Sequence, residues 1–337
     1  MPDQQPRHAE AVLTLLALCA TIALVTLGLL RGLWLSNLHN GIFAVTAGFT
    51  AALLLSRRPG QPLARLLLVW GLVSAVIFAG RQVGLDSRSA GDAWWGWFGV
   101  WPVAMVIGLT TWMIIALPEG NFLSPAWRRI CHVGIGLTVV LSAVSALWPV
   151  EYAENAVRTP FPFTLPGGAL AADVWPAISV PVYIGIQVVW LPALVVRWLQ
   201  SDAVVRRQLM VLVAVVALGL VALAVGLAGF RTPTPGLLAL APLPAVLGWL
   251  IYRYSFAHVV EVERAGGRLA ELSPRENDVL DLMAQGLSNT AIADRLCLSI
   301  KTVEPAISSI FRKLGLDDDP ESNRRVMAVA EFWKRQG

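Results

Sequence analysis

The sequence predicts an all-α protein in two parts. A polytopic transmembrane helical domain of about eight spans occupies residues 1–254, and a small four-helix domain occupies 271–337, with a linker at 255–270. Three observations predict this. The 337-residue chain is 56% hydrophobic and only 14% charged, far from the balance of a soluble domain. Apolar runs of about twenty residues, the length that crosses a bilayer, recur along the first part. From residue 271 the pattern changes to short amphipathic segments with helix-start and helix-stop residues.

After a short polar tail the first span is Ala11–Leu30, too long a core for a secretory signal and lacking a small-x-small cleavage site. Seven more follow: Asn40–Leu55, Leu63–Gly80, Trp94–Leu117, Ile130–Val150, Val174–Leu199, Leu209–Phe230 and Leu237–Tyr254. Pro242 and Pro244 predict a kink in the eighth. Glu151 to Asp173, rich in proline and glycine, reads as a connection with little regular structure.

Residues 1–260 hold 15 arginines, no lysine and 9 acids, so the basic balance belongs to the apolar part. The arginines divide unevenly between alternate ends of the spans. One side carries Arg7, Arg57, Arg58, Arg65, Arg128, Arg129, Arg197, Arg206, Arg207 and Arg253. The other carries Arg31, Arg81, Arg88, Arg158 and Arg231. Positive charge is retained inside, so both termini are expected in the cytoplasm of a multi-pass cell-membrane protein with the lipid bilayer as a partner.

Thirteen of the fourteen tryptophans precede residue 260. Trp34, Trp94, Trp95, Trp148 and Trp175 at one set of boundaries, with Trp127 and Trp198 at the other, fit an aromatic belt. The Trp94–Trp101 run fits either that belt or an aromatic pocket for a cationic or apolar ligand. Arg81 is expected to snorkel to an interface, and Gln187 is a polar group inside the sixth span.

The tail reads as capped helices. Ser273-Pro274-Arg275-Glu276 is a capping box with proline at the first helical position, followed by apolar Val279, Leu280 and Met283 and ended by Gly286. Ser288 caps a short second helix, Asn289–Leu296, and Ser299 a third that Gly315 ends. Two short helices joined by a tight turn behind a supporting helix are the layout of a helix-turn-helix. In the third helix Val303, Ile307, Ile310, Phe311 and Leu314 form one apolar stripe, and Lys301, Pro305, Ser308 and Arg312 gather opposite. Asp319 and Pro320 are expected to start a fourth helix with Val326, Val329, Ala330 and Trp333 as its apolar stripe.

The runs LSPRENDVL, AQGLSNTAIADRL, LSIKTVE and IFRKLGL, in order between Leu272 and Leu316, resemble the C-terminal domain of the LuxR (NarL or FixJ) type. The resemblance implies a four-helix domain that binds double-stranded DNA through its third helix and commonly dimerises through its fourth. The residues expected to meet DNA are Thr290, Ser299, Lys301, Thr302, Glu304, Pro305, Ser308 and Arg312. Pro305 and Ala306 depart from the family, which usually has a polar or basic residue and then often histidine there. From residue 261 onward 11 basic residues face 13 acidic ones, so DNA binding must use local charge such as Arg295, Lys301, Arg312 and Lys313. In the apolar part the stretches SRRPGQPLARLLL from Ser56, LPEGNFLSPAWRR from Leu117 and VVRRQLMVL from Val204 resemble loops of actinobacterial membrane sensor proteins. That implies a sensor-like domain and names no ligand.

Cys19, Cys131 and Cys297 are far apart and read as small buried hydrophobes. The four histidines form no ligand pair, and no glycine-rich phosphate loop occurs. No enzyme, metal or cofactor is expected. The sequence therefore reads as a membrane-anchored transcriptional regulator, expected to form a homodimer through its C-terminal helix and to respond to an unknown signal ligand. The alternative is a membrane protein whose helix-turn-helix serves as a protein-interaction module.

Overall fold

The computed structural model describes residues 4–86, 89, 91–117, 120–201, 203–253, 269, 271–316 and 323–334. These are helices and their connections, with no strand among the described residues. The chain divides into two compact units, Met1–Arg253 and Tyr254–Gly337. The linker expected at 255–270 lies, apart from Leu269, outside the described residues.

The first unit contains α1 (Gln4–Arg31), α2 (Leu38–Arg57), α3 (Pro62–Leu85), α4 (Asp92–Phe98), α5 (Val103–Ala116) and α6 (Pro125–Leu147). It continues with α7 (Gly168–Val188), α8 (Trp190–Gln200), α9 (Ala203–Val225), α10 (Thr234–Ala239) and a helix over 243–253, here α11. Grouped by length and apolar content these make eight helical stretches able to cross a membrane. The fourth is α4 and α5 with a break between them, the sixth α7 and α8, and the eighth α10 and α11. The last break falls at 240–242, ahead of Pro244.

The centre of this unit is α3. Its Leu63, Leu67, Trp70, Ile77 and Phe78 are almost wholly buried. Small residues let its backbone approach its neighbours, as close helix packing in an apolar medium requires. A Cβ on Gly71 would come 2.8 Å from the Gly48 backbone nitrogen, and one on Gly80 would come 2.4 Å from that of Gly99. By contrast α1 turns most of its apolar side chains outward.

Several expectations are corrected here. The third span runs on past Gly80 to Leu85, because Arg81 and Gln82 are buried and bonded. Arg81 Nε donates to the Gly99 carbonyl at 2.9 Å and Gln82 Nε2 to that of Gly32 at 2.7 Å. Arg81 therefore does not snorkel outward. The sixth span begins at Gly168 rather than Val174: Gly167 turns the chain at φ 86°, and the Ala-rich residues that follow favour helix. Trp175 is 4% exposed and packs with Ala104 and Leu141, so it is no part of a belt. Arg197, counted above as a topology charge, is buried and donates to the carbonyls of Ile115 and Asn121 at 3.0 and 3.3 Å. Cys131 is buried as expected, but Cys19 and Cys297 are exposed.

The second unit contains α12 (Pro274–Ala284), α13 (Asn289–Arg295), α14 (Ile300–Lys313) and α15 (Arg324–Lys334). Val279, Leu280, Ile292, Val303, Ile310, Leu314 and Ala328 fill its core. The first three helices end alike. The Leu287 N–H reaches the Leu282 carbonyl, Leu298 reaches Ala293, and Leu316 reaches Phe311. Each such six-residue closure needs a left-handed residue one position earlier. Gly286 and Gly315 supply it at φ 86° and 67°, while Cys297 is held there at φ 54°. That position, in the turn of the helix-turn-helix, is why Cys297 is exposed instead of buried.

On α15 the inward residues are Ala328, Val329 and Phe332. Val326, Ala330 and Trp333, expected as the packing stripe, face outward. Asp319 and Pro320 lie outside the described residues, and the cap seen is Asn323, whose Oδ1 accepts from the Arg325 and Val326 N–H groups.

Removing the Cβ from the strained turn stabilises the domain. Cys297→Gly is expected to add about 1 kcal/mol, a rise of roughly 4–8 °C in Tm for a domain of this size. Thermal unfolding of the C-terminal unit checks it, and an unchanged or lower Tm contradicts the account of the turn.

Candidate nucleic-acid interface

The candidate surface is built on α14, and the local sequence explains its two sides. Val303, Ile310 and Leu314 have no measurable exposure and Ile307 is 6% exposed, so one stripe of the helix is committed to the core. Lys301, Thr302, Glu304, Pro305, Ser308 and Arg312 are all exposed. A helix with one buried face and one polar face leaves the polar face free for base edges and phosphates.

The ends of α14 are held differently. Ser299 stands at the position before the helix with extended backbone, but its side chain caps no N–H. Its hydroxyl pairs instead with that of Thr302 at 2.8 Å, which corrects the expected cap. At the other end Lys313 is taken by the fold. Its Nζ lies 2.6 Å from Glu276 Oε2 and donates to the Glu271 carbonyl at 3.1 Å. Lys313 therefore drops out of the local charge available to DNA.

Glu276 completes the predicted capping box. Its Oε2 accepts from the Ser273 N–H at 2.7 Å, and its own N–H donates to Ser273 Oγ at 3.2 Å. Burial acts to raise this carboxyl. Lys313, the Ser273 N–H and the Ser309 and Ser273 hydroxyls act the other way and hold it at about 2. The pair thus pins the C-terminal end of α14 to the N-terminal end of α12.

Pro305 is the sixth residue of a continuous helix, as expected. It has no N–H for the Lys301 carbonyl one turn back. The ring is exposed, so that carbonyl opens onto the polar face rather than into the core. Nearby, Ser308 Oγ donates to the Glu304 carbonyl at 3.1 Å.

The structure brings Lys301, Glu304, Pro305, Ser308 and Arg312 together around one shallow concavity, with Ser309 as its sixth side chain. Ser299 and Thr302 pair at the start of α14, and Thr290 is exposed as the second residue of α13; none of the three lines the concavity. Ser309 was missed by the sequence reading. At 100° per residue it lies about 80° from Lys301, at the edge of the polar face, and a wider sector would have included it.

The depressed Glu276 carboxyl has a pH consequence. Its unfolded value is about 4.3, so its stabilising bonds are fully present above that and fade as pH falls toward 2. Glu276→Gln is expected to cost roughly 1.5–3 kcal/mol at neutral pH, the range of hydrogen bonds to a charged group. The difference from the natural chain should shrink between pH 4.3 and about 2. Denaturant unfolding across that range checks it, and a gap that does not change with pH contradicts the ionised pair.

Comparison with known proteins agrees with this geometry. Residues 270–326 match the family described as bacterial regulatory proteins, luxR family. The oxygen regulatory protein NreC of Staphylococcus aureus strains JH9, JH1 and Mu3 is 48% identical over 50 residues, 15% of this chain and 23% of each relative. The chain thus covers about a quarter of the length of these curated relatives, all of it in the C-terminal region. No solved structure matches the chain. The capped helices, the tight turn at Cys297 and the matched residues make 270–326 a helix-turn-helix domain of the LuxR family of bacterial regulatory proteins.

Proposed function

We propose that this chain is a membrane-anchored transcriptional regulator, in which α14 enters the major groove of double-stranded DNA and the eight-span unit receives a signal. The carrying observation is the division of α14 into a buried apolar stripe and an exposed face lined by Lys301, Pro305, Ser308 and Arg312. Lys301 and Arg312 suit phosphate or guanine contacts, while Ser308 and the Pro305 ring suit base edges and a thymine methyl group. Glu304 lines the same concavity, and Thr290, Ser299 and Thr302 flank it as further contacts. The eight apolar helices and the arginine asymmetry, nine to four once the buried Arg197 and Arg81 are set aside, support a multi-pass protein with both termini in the cytoplasm, where DNA is.

Two copies are expected to associate through α15. Its Val326, Met327 and Trp333 are 63%, 45% and 54% exposed, an apolar stripe that the domain's own core leaves uncovered. A dimer would cover it and present two recognition helices to successive half-sites.

The topology is checked with compartment reporters fused after Tyr254 and within 151–173. Opposite compartments are expected, and the same compartment at both positions ends the eight-span reading. DNA binding is checked with the full chain in micelles against duplexes recovered with it from cells. Arg312→Ala is expected to weaken binding to all sequences and flatten the salt slope by about one. An unchanged slope removes Arg312 from the phosphate contacts. No salt-dependent retention by the natural chain would favour the protein-interaction reading instead.

A further inference from the structure

The first unit contains a buried carboxylate in the connection between its fifth and sixth apolar stretches. Glu151 opens the segment after α6 and is 4% exposed. Its Oε2 accepts from Ser145 Oγ of α6 at 3.0 Å, and its Oε1 accepts from the Tyr183 hydroxyl of α7 at 3.0 Å. The charged and titratable groups facing it are Arg81 from α3, Tyr183 from α7 and Glu154 from its own turn. His39 of α2 faces Arg81 in turn. Arg81 commits its Nε to the Gly99 carbonyl in the break between α4 and α5, so its charge acts on Glu151 through space.

The segment that Glu151 opens is seated, not merely a connection. Tyr152 and Val157 are buried with Val100. The Arg158 N–H donates to the Gly84 carbonyl of α3 at 2.8 Å. Thr159 lies so close to Gly96 of α4 that a Cβ there would meet its hydroxyl at 2.0 Å. One carboxylate therefore sits where α6, α7 and a segment docked on α3 and α4 meet.

An ionised carboxylate only accepts hydrogen bonds, and here each oxygen has one hydroxyl donor. A protonated carboxyl brings a donor of its own and accepts more weakly, so one of the Ser145 and Tyr183 hydroxyls is left to accept the carboxyl O–H instead of donating to it. The loss of negative charge also removes the through-space attraction between Glu151 and the buried Arg81. Burial already pushes the Glu151 carboxyl above the ordinary carboxylate range. The Tyr183 and Ser145 hydroxyls and Arg81 oppose that push, while Glu154 adds to it.

We propose that Glu151 is a proton-binding site, and that taking up one proton there exchanges a Ser145 or Tyr183 hydrogen bond for a carboxyl O–H donor and loosens the 148–167 segment from α3 and α4. This rests on the reading of the first unit as a signal receiver, and it names the proton as the stimulus. The test is pH-difference infrared spectroscopy of the full chain in micelles, stepped from pH 8 to pH 5. A protonated-carboxyl band is expected to grow in with a midpoint above the usual glutamate value of about 4.3, and to be missing from Glu151→Gln. Tyr183→Phe removes a donor to the charged form and is expected to raise the midpoint by about one pH unit. Over the same steps, amide exchange in 152–162, corrected for its intrinsic pH dependence, is expected to speed up in the natural chain and not in Glu151→Gln. No titrating band, or the same band in Glu151→Gln, overturns the proposal. Should Glu151→Gln fail to fold, an unmoved midpoint in Tyr183→Phe overturns it. DNA retention is measured separately on the same preparation. Its failure at every pH would count against the regulator reading alone, because the band reports on Glu151 whether or not DNA binds.

Discussion

The carboxylate of Glu276 joins the start of α12 to the end of α14, and the exposed polar face of α14 depends on that join. Without it, the Lys313 ammonium would lose its carboxylate partner at the start of α12, and the apolar contacts between the two helices fix distance better than rotation. The Lys313 ammonium at 2.6 Å and the Ser273 N–H at 2.7 Å converge on one oxygen of Glu276. With the buried stripe of Val303, Ile307, Ile310 and Leu314, this sets which side of the helix faces out. The polar face is therefore a consequence of how the opposite face is fixed. Pro305 is tolerated within it because the carbonyl it leaves unpaired opens toward solvent.

A related constraint governs the first unit. Breaking an apolar helix frees backbone carbonyls, and in an apolar medium those groups must find donors within the protein. Two arginines supply them. Arg81 donates to the Gly99 carbonyl at the break in the fourth apolar stretch, and Arg197 to the Ile115 carbonyl near the end of α5. Gly80 and Gly99 let α3 and the break approach until a Cβ on either would collide with backbone. Around Arg81 and Gly99, irregular backbone, buried charge and close packing thus occur together, and Glu151 stands beside them. That combination distinguishes this end of the bundle from the plain apolar packing around Leu63, Leu67 and Trp70.

Much of this was legible from local signals. Apolar runs gave the eight stretches because a helix long enough to cross a bilayer needs little beyond its own composition. The capping box, Gly286, Ser288 and Gly315 marked the helices of the C-terminal domain because each acts through bonds to residues three to five positions away. The 3.6-residue period separated the two faces of α14 for the same reason. Where local signals were weak, so was the reading. The start of the sixth stretch lay in a segment whose prolines and glycines masked the helix formers after Gly167, and Ser309 lay at the edge of a sector drawn too narrow.

The sequence by itself determined the all-α class, the candidate spans, the helix-turn-helix and the exposed polar face of α14, since all of these rest on periodicity and on contacts within a helical turn. Only the tertiary structure decided the roles of groups whose partners are distant in the chain. Arg81 and Arg197 became carbonyl donors, Lys313 became a tie to Glu276, and Glu151 met Tyr183 thirty-two residues away. The outward turn of Val326 and Trp333, and the left-handed backbone of exposed Cys297, were likewise decided by packing. A polar side chain carries no mark of its partner in its own neighbourhood, and the choice between lipid, water, DNA and a buried carbonyl is made only when the helices come together.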